Sequence, residues 1–289
     1  MPIELSVLFA LGAMLCWGFG DFFIQRSTRK AGDIESLAFI GIIGAFLLLP
    51  FVLLDFHLLL LPGNLAFLFL IGLVTFVVAL LDFEALKEGK LSVVEVVFEV
   101  ELPVTIMLGL LFFGETLSTQ QTALVILVLA GIGLISLEGI SRHHYLKRFE
   151  KGVLLAVLGA LGMAVLNFLT AAGSRAISPI MAVWVPYLVF TVLCLFLIWR
   201  REGIPKLVQN ARRFKFVILG MGVFDTAAWT LFALAVLENE LAITIAITES
   251  YPAVAMLLGV LVNREKVKAH QYAGAAVALT ACVSLALLV

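Results

Sequence analysis

Two stretches decide how this chain reads: 92–113, SVVEVVFEVELPVTIMLGLLFF, and 241–262, LAITIAITESYPAVAMLLGVLV. Each has 22 residues, enough at about 1.5 Å per helical residue to cross a hydrocarbon layer about 30 Å thick. Transmembrane strands would be about half as long and would alternate polar with apolar side chains. Neither stretch alternates, so both read as helices. At an offset of 150 residues Glu99 falls on Glu249 and Gly109 on Gly259, with Pro103 one step out of register against Pro252. Each stretch therefore sets an acid beside a proline inside an apolar run.

Working outward, polar or turn-rich breaks divide the chain into ten apolar segments: 5–24, 36–56, 64–86, 92–113, 118–137, 151–172, 179–199, 215–237, 241–262 and 268–289. Of the 289 residues 63% are hydrophobic and 13% charged, against about 25% charged in soluble domains. That composition excludes a water-soluble globule and leaves no room for a sizeable soluble domain. A net charge of −1 gives no reason to expect a nucleic-acid partner. Cys16, Cys194 and Cys282 lie within apolar segments without metal-ligand spacing and read as packing residues. No metal or cofactor is expected. The first segment has Glu4 and no Lys or Arg before Arg26, so it reads as a retained span, not a cleaved signal.

The connections after spans 1, 3, 5, 7 and 9 hold eighteen of the nineteen basic residues, Arg175 being the exception. By the positive-inside rule both termini lie outside and the odd-numbered loops face the cytoplasm. The expected location is the plasma membrane, with multiple passes.

The offset of 150 aligns 83–137 with 233–287 at thirteen identities, among them Glu88/Glu238, Glu115/Glu265 and Gln121/Gln271. More weakly, Leu11-Gly12-Ala13 corresponds to Leu158-Gly159-Ala160. The chain thus reads as an all-α membrane protein of two five-span repeats, 5–138 and 151–289, joined by a basic cytoplasmic linker at 139–150. An odd number of spans per repeat forces the second half to enter the membrane inverted. Such halves can exchange conformations and alternate access to a site between them.

Trp17-Gly18 in the first span, Leu91-Ser92, Pro103 and Gly114-Glu115 around the fourth, and Leu241, Pro252, Arg264-Glu265, Gln271 and Gly274 through the ninth and tenth resemble the EamA-type repeat of the drug/metabolite transporter superfamily. The resemblance covers nearly the whole chain. It implies a ten-helix carrier with a central cavity between its halves, moving small metabolites or drugs, often outward. Asn263-Arg264 stands where the pattern has Gly before Glu265, and the fourth and ninth spans carry acids where the family usually has small or apolar residues. The family's substrates therefore do not transfer.

Every Lys, Arg and His lies in a loop or at a span end, and the charge-bearing side chains further inside are all acids: Asp21, Asp82, Glu84, Glu95, Glu99, Glu101, Asp225 and Glu249. An acid at a span centre costs about 2.5–3.5 kcal/mol to insert, so such groups face a bundle interior or a wet cavity. Glu99 lies about 10 Å from the cytoplasmic end of its span and Glu249 about 12 Å from the outer end of its own, depths that an inverted repeat relates. Pro103 frees the Glu99 carbonyl and Pro252 that of Thr248, and matched helix breaks point to a transport site. Glu95 shares the Glu99 face and either extends a ladder to the cytoplasm or snorkels near Lys90. Glu101 is turned about 200° from Glu99 and is expected to pack on another helix. Asp225 with Trp229 one turn later suits an organic cation or is a satisfied buried acid. Interfacial pairing is favoured for Asp21 (with Arg26), Asp82 and Glu84. Asn167 is a polar lining candidate beside the counterpart of Asp21. Trp17 precedes Asp21 by one turn, and Trp184, Pro186 and Tyr187 read as a kinked cavity wall or as an interfacial belt.

With no Lys or Arg inside a span, phosphorylated or carboxylate cargo is disfavoured. The expected function is a proton-coupled or exchanging secondary carrier of a small cationic, zwitterionic or neutral solute, acting as a monomer or homodimer among membrane lipids. Two other readings remain at this stage. Gly18-Phe19-Gly20-Asp21 matches the GxGD pattern of intramembrane aspartyl proteases, although neither Asp82 nor Asp225 follows a tyrosine. A channel or lipid scramblase is the other.

Overall fold

The computed structural model describes residues 4–88, 100–136, 146–201, 203–251, 253–254 and 268–288. Its ordered elements are α1 (Leu5–Ala31), α2 (Asp33–Asp55) with a tight turn at Phe56–Leu60, α3 (Asn64–Glu88), α4 (Glu101–Leu108) with a widened turn at Gly109–Phe113, and α5 (Thr119–Ser136). They continue with α6 (Leu146–Ala176), α7 (Pro179–Arg201), α8 (Ile204–Arg213), α9 (Lys215–Glu238), α10 (Leu241–Thr248) and α11 (Ala269–Ala286). No strand occurs among the described residues. Among the described residues six helices are long and apolar enough to cross a membrane: Leu5–Ala31, Asp33–Leu60, Asn64–Glu84, Val157–Ala176, Pro179–Arg201 and Lys215–Glu238.

Two elements depart from the sequence reading. Helix α6 begins at Leu146, inside the linker expected at 139–150. The basic connection after the seventh expected span holds α8, where Leu207 is buried while Lys206, Arg212 and Arg213 stay on the polar side. A short amphipathic helix buries one stripe even within a charged loop.

Local chemistry explains the boundaries. Only Gly32 separates α1 from α2, at φ 92°, a conformation costly for any residue with a Cβ. Arg29 and Lys30 sit in the last turn of α1 and Asp33 and Glu35 in the first turn of α2, each opposite the helix-dipole charge it favours. Pro103 falls in the first turn of α4, a position that proline tolerates. The repeat-matched glutamines do one job twice. Gln121 accepts the Ser118 backbone N–H at 2.8 Å and Gln271 that of Lys268 at 3.0 Å, each closing a helix start.

Packing pairs the first half with the second. Helix α1 lies on α9 with Gly12 facing Leu231, Trp17 facing Trp229, Gly20 facing Asp225 and Phe23 facing Gly220, so the two run antiparallel. Helix α3 lies on α6 through Val78 against Gly162 and Ile71 against Gly173. Other pairings include α2 on α7, α3 on α7, α2 on α9, α4 on α6, α6 on α7, α1 on α10, α6 on α9, α7 on α9, α4 on α10 and α5 on α11. Close approach of α2 to α7 depends on glycine: a side chain at Gly44 would run into the Tyr187 ring, and one at Gly41 into Thr191. Two apolar clusters result. One joins α1, α4, α5, α9, α10 and α11 with Ala171 of α6, the other α2, α3, α7 and α9 with Leu166 of α6 and Leu207 of α8, and Trp229 packs against both. Phe46, Leu53, Leu54, Leu111 and Phe216 stay exposed on the outside of the bundle.

Candidate functional site

Asp225 lies midway along α9, 8% exposed, and its carboxylate accepts the Tyr187 hydroxyl of α7 at 2.5 Å. Thr226 turns its own hydroxyl back onto the Gly222 carbonyl at 2.6 Å. One turn beyond Asp225, the Trp229 ring stands edge-on to Trp17 at 5.3 Å, and both contact Phe232. Tyr187, Trp229 and Pro186 border a void of about 20 Å³ whose polar wall is Thr75 of α3 and Thr170 of α6. That is room for a water molecule and no metabolite. Of the two readings open for Asp225, the structure supplies the satisfying donor, Tyr187. It also unites Trp17, Tyr187, Asp225 and Trp229, singled out on three different segments.

A second acid sits at a helix break. Helix α10 ends at Thr248, Glu249 and Ser250 form a turn, and helical geometry resumes at Tyr251. Two hydroxyls back-bond at the turn: Thr248 Oγ1 donates to Ile245 O, which also accepts the Glu249 N–H, and Ser250 Oγ donates to Ala246 O, both hydroxyl bonds at 3.2 Å. Glu249 is buried, and Asp21 of α1 is close enough for the two charges to interact. Helix α1 passes the break tightly, for a Cβ on Gly18 would sit 3.4 Å from the Tyr251 carbonyl and 2.8 Å from Val254. Glu95, Glu99 and Pro252 lie outside the described residues.

Glu101 does pack on another helix, accepting the Asn167 side-chain N–H of α6 at 2.5 Å. Asn167, expected as a lining residue, is 1% exposed and engaged there instead. Trp184, expected at a cavity wall or interfacial belt, donates its indole N–H to Ala45 O at 3.1 Å and ties α7 to α2. Asp82, expected to pair at the interface, has its Oδ1 buried with no hydrogen-bond partner among the described residues. A larger hollow, about 460 Å³, lies on the surface of α8 beside Gln209, Arg212 and Arg213, with no acid in its wall. Among the described residues no three His, Cys, Asp or Glu side chains group as metal ligands. Cys16, Cys194 and Cys282 are free thiols.

Sequence reasoning missed two polar clusters. Glu35, 3% exposed in the first turn of α2, accepts the Asn210 side-chain N–H at 2.7 Å and pairs with Lys206 at 3.9 Å. Glu115 pairs with Arg175 at 2.9 Å. The signal for the second was present, since Arg175 alone broke the charge asymmetry and Glu115 belonged to the repeat. Asp55 and Ser178 also bond, from α2 to the turn before α7.

One solved crystal structure superposes on this chain with a TM-score of 0.78 at 15% identity, covering 98% of this chain and 96% of that one. At that identity the likeness is one of fold. No curated protein matches the sequence. The sequence profile of the EamA-like transporter family matches twice, at residues 4–137 and 150–287. Two matches spanning nearly the entire chain, with apolar helices packed half against half, make this a multi-pass membrane protein that belongs to the EamA-like transporter family.

Proposed function

We propose that the chain is a secondary carrier that alternates access to a site between two inverted five-helix halves, 5–138 and 151–289, joined at 139–150. The packing supports this arrangement. Exchanging the halves turns the α1–α9 pairing into α6–α3, α1–α10 into α6–α4 and α2–α9 into α7–α3, while α2–α7 and α5–α11 return to themselves. A pseudo-twofold axis between repeats has that consequence. Both termini lie outside, and the protein resides in the plasma membrane.

The cargo is a small cationic, zwitterionic or neutral solute. The observation that carries this reading is the cluster of Trp17, Tyr187, Asp225 and Trp229 between the two halves. Aromatic faces beside a carboxylate favour an organic cation or an ammonium group. Glu249 and Asp21, neighbours at the α10 break, carry the coupling proton: a cation arriving beside them displaces it, and its return resets the site. The void of about 20 Å³ represents the site closed.

Saturable counterflow in proteoliposomes, tested with amines, amino acids and neutral metabolites, is the decisive experiment. Uptake that saturates and is stimulated by solute on the far side supports a carrier. Flux without saturation belongs to a channel or scramblase, and cleavage of a peptide belongs to a protease. Flux indifferent to a pH gradient removes the coupling role of Glu249.

A further inference from the structure

At one end of the bundle six polar groups close on each other. Glu115, in the extended segment after α4, accepts Arg175 Nη2 at 2.9 Å and the backbone N–H groups of Leu241 and Ala242 at 2.7 and 3.0 Å. Arg175, in the last turn of α6, also donates Nε to Val236 O at 2.7 Å and Nη2 to Asn239 O at 2.8 Å. Its guanidinium lies 4.3 Å from the Phe113 ring centre, and Phe113 stacks on Phe168 at 4.8 Å.

Capping alone accounts for part of this. The first N–H groups of α10 have no intrahelical partner, and a carboxylate there satisfies them and opposes the helix dipole. Capping does not account for Arg175. From α6 its fork binds the first-half acid and two carbonyls at the α9–α10 connection together, so three elements from both halves are held by one side chain. The approach to Glu115 departs from α-geometry. A widened turn spans Gly109–Phe113, and Gly114 takes φ 67°, immediately before the acid. Gly109 has to be bare, since a Cβ there would sit 2.7 Å from Glu115 Oε2. Beneath the cluster, Asn239 Nδ2, Thr244 Oγ1 and Thr105 Oγ1 are buried without hydrogen-bond partners among the described residues. Buried polar groups ordinarily find partners; three without one, at the helices next to Glu115 and Arg175, suit a surface that meets water in another conformation. Glu240, the titratable neighbour in the same connection, is pushed above its ordinary value by partial burial and by Glu115, while the Thr116 backbone N–H and Arg175 act against this.

We infer that Glu115 and Arg175 form a latch: Arg175 holds the carrier shut at this end, and its release opens the path to the central site. The inference rests on the carrier reading above. The positive-inside count puts the latch on the outer face. Arg175 is a positioning residue in this scheme and touches no solute.

The test uses the full chain in lipid nanodiscs, where both faces meet a hydrophilic maleimide. Thr244→Cys, one turn below the latch, reports opening, with Cys16 and Cys282 replaced by Ser and the buried native Cys194 kept as an internal control. Arg175→Gln removes the tie from α6 and leaves the Glu115 cap in place. The expected result is Thr244→Cys labelling faster by about tenfold or more, the size of a modest population shift, with Cys194 labelling unchanged. Should Arg175→Gln not fold, Arg175→Lys keeps the cation but loses the fork, and the same selective rise is expected. Unchanged Thr244→Cys labelling overturns the latch, as does an equal rise at Cys194, which would mark Arg175 as general scaffold support. Labelling needs no solute, so absent counterflow would defeat the carrier reading without deciding this one.

Discussion

Asp225 and Glu115 are both buried carboxylates, held in opposite ways. Glu115 takes three N–H donors, one from a guanidinium, and neither oxygen is left idle. Among the described residues Asp225 takes one neutral donor, the Tyr187 hydroxyl. A carboxylate has about four acceptor positions, so Asp225 keeps most of its capacity for a ligand and Glu115 keeps almost none. The difference separates a group built to hold structure from one left able to receive a solute.

The comparison can be broken from either side. Glu115→Ala should be the most damaging change, about 2–4 kcal/mol, because it leaves a part-buried guanidinium without its counter-charge and two helix N–H groups without an acceptor; thermal unfolding of the purified protein measures it. Loss under about 1 kcal/mol would mean the cluster is solvated. Tyr187→Phe should cost about 1.5–3 kcal/mol through the lost bond to a carboxylate. Asp225→Asn keeps an acceptor for Tyr187 and should change stability by less, about 1 kcal/mol, while counterflow of a cationic solute falls about tenfold or more. Equal stability losses in the two Asp225–Tyr187 variants would make Asp225 a structural acid. Gln121→Ala and Gln271→Ala should be mildest and nearly equal, about 0.5–1 kcal/mol each, since both remove a side-chain acceptor from a backbone N–H at a helix start.

Legibility in the sequence followed the range of each interaction. The starts of most helices, the separation of acids from bases and the matched glutamines were visible because they depend on neighbours three or four residues away. The break at Glu249 was legible for the same reason: a proline four residues on was expected to free the Thr248 carbonyl, and α10 ends at Thr248. Asn167 was not. Its position suggested a lining role, and only the approach of α4 to α6 gave it Glu101. Trp184 was open between wall and belt until Ala45 of α2 appeared beside its indole nitrogen. Arg175 looked like an exception in a charge count, because its partners lie about 60 residues away on both sides.

Composition and periodicity determined, without any coordinates, that this chain lives in a bilayer as apolar helices in two related halves, because lipid imposes its demand on every span separately. The tertiary structure decided which buried acids are spoken for and which retain acceptor capacity. That depends on what the facing helix brings within 3 Å, and residues 38 to 212 positions apart meet here for reasons of packing that no local pattern encodes.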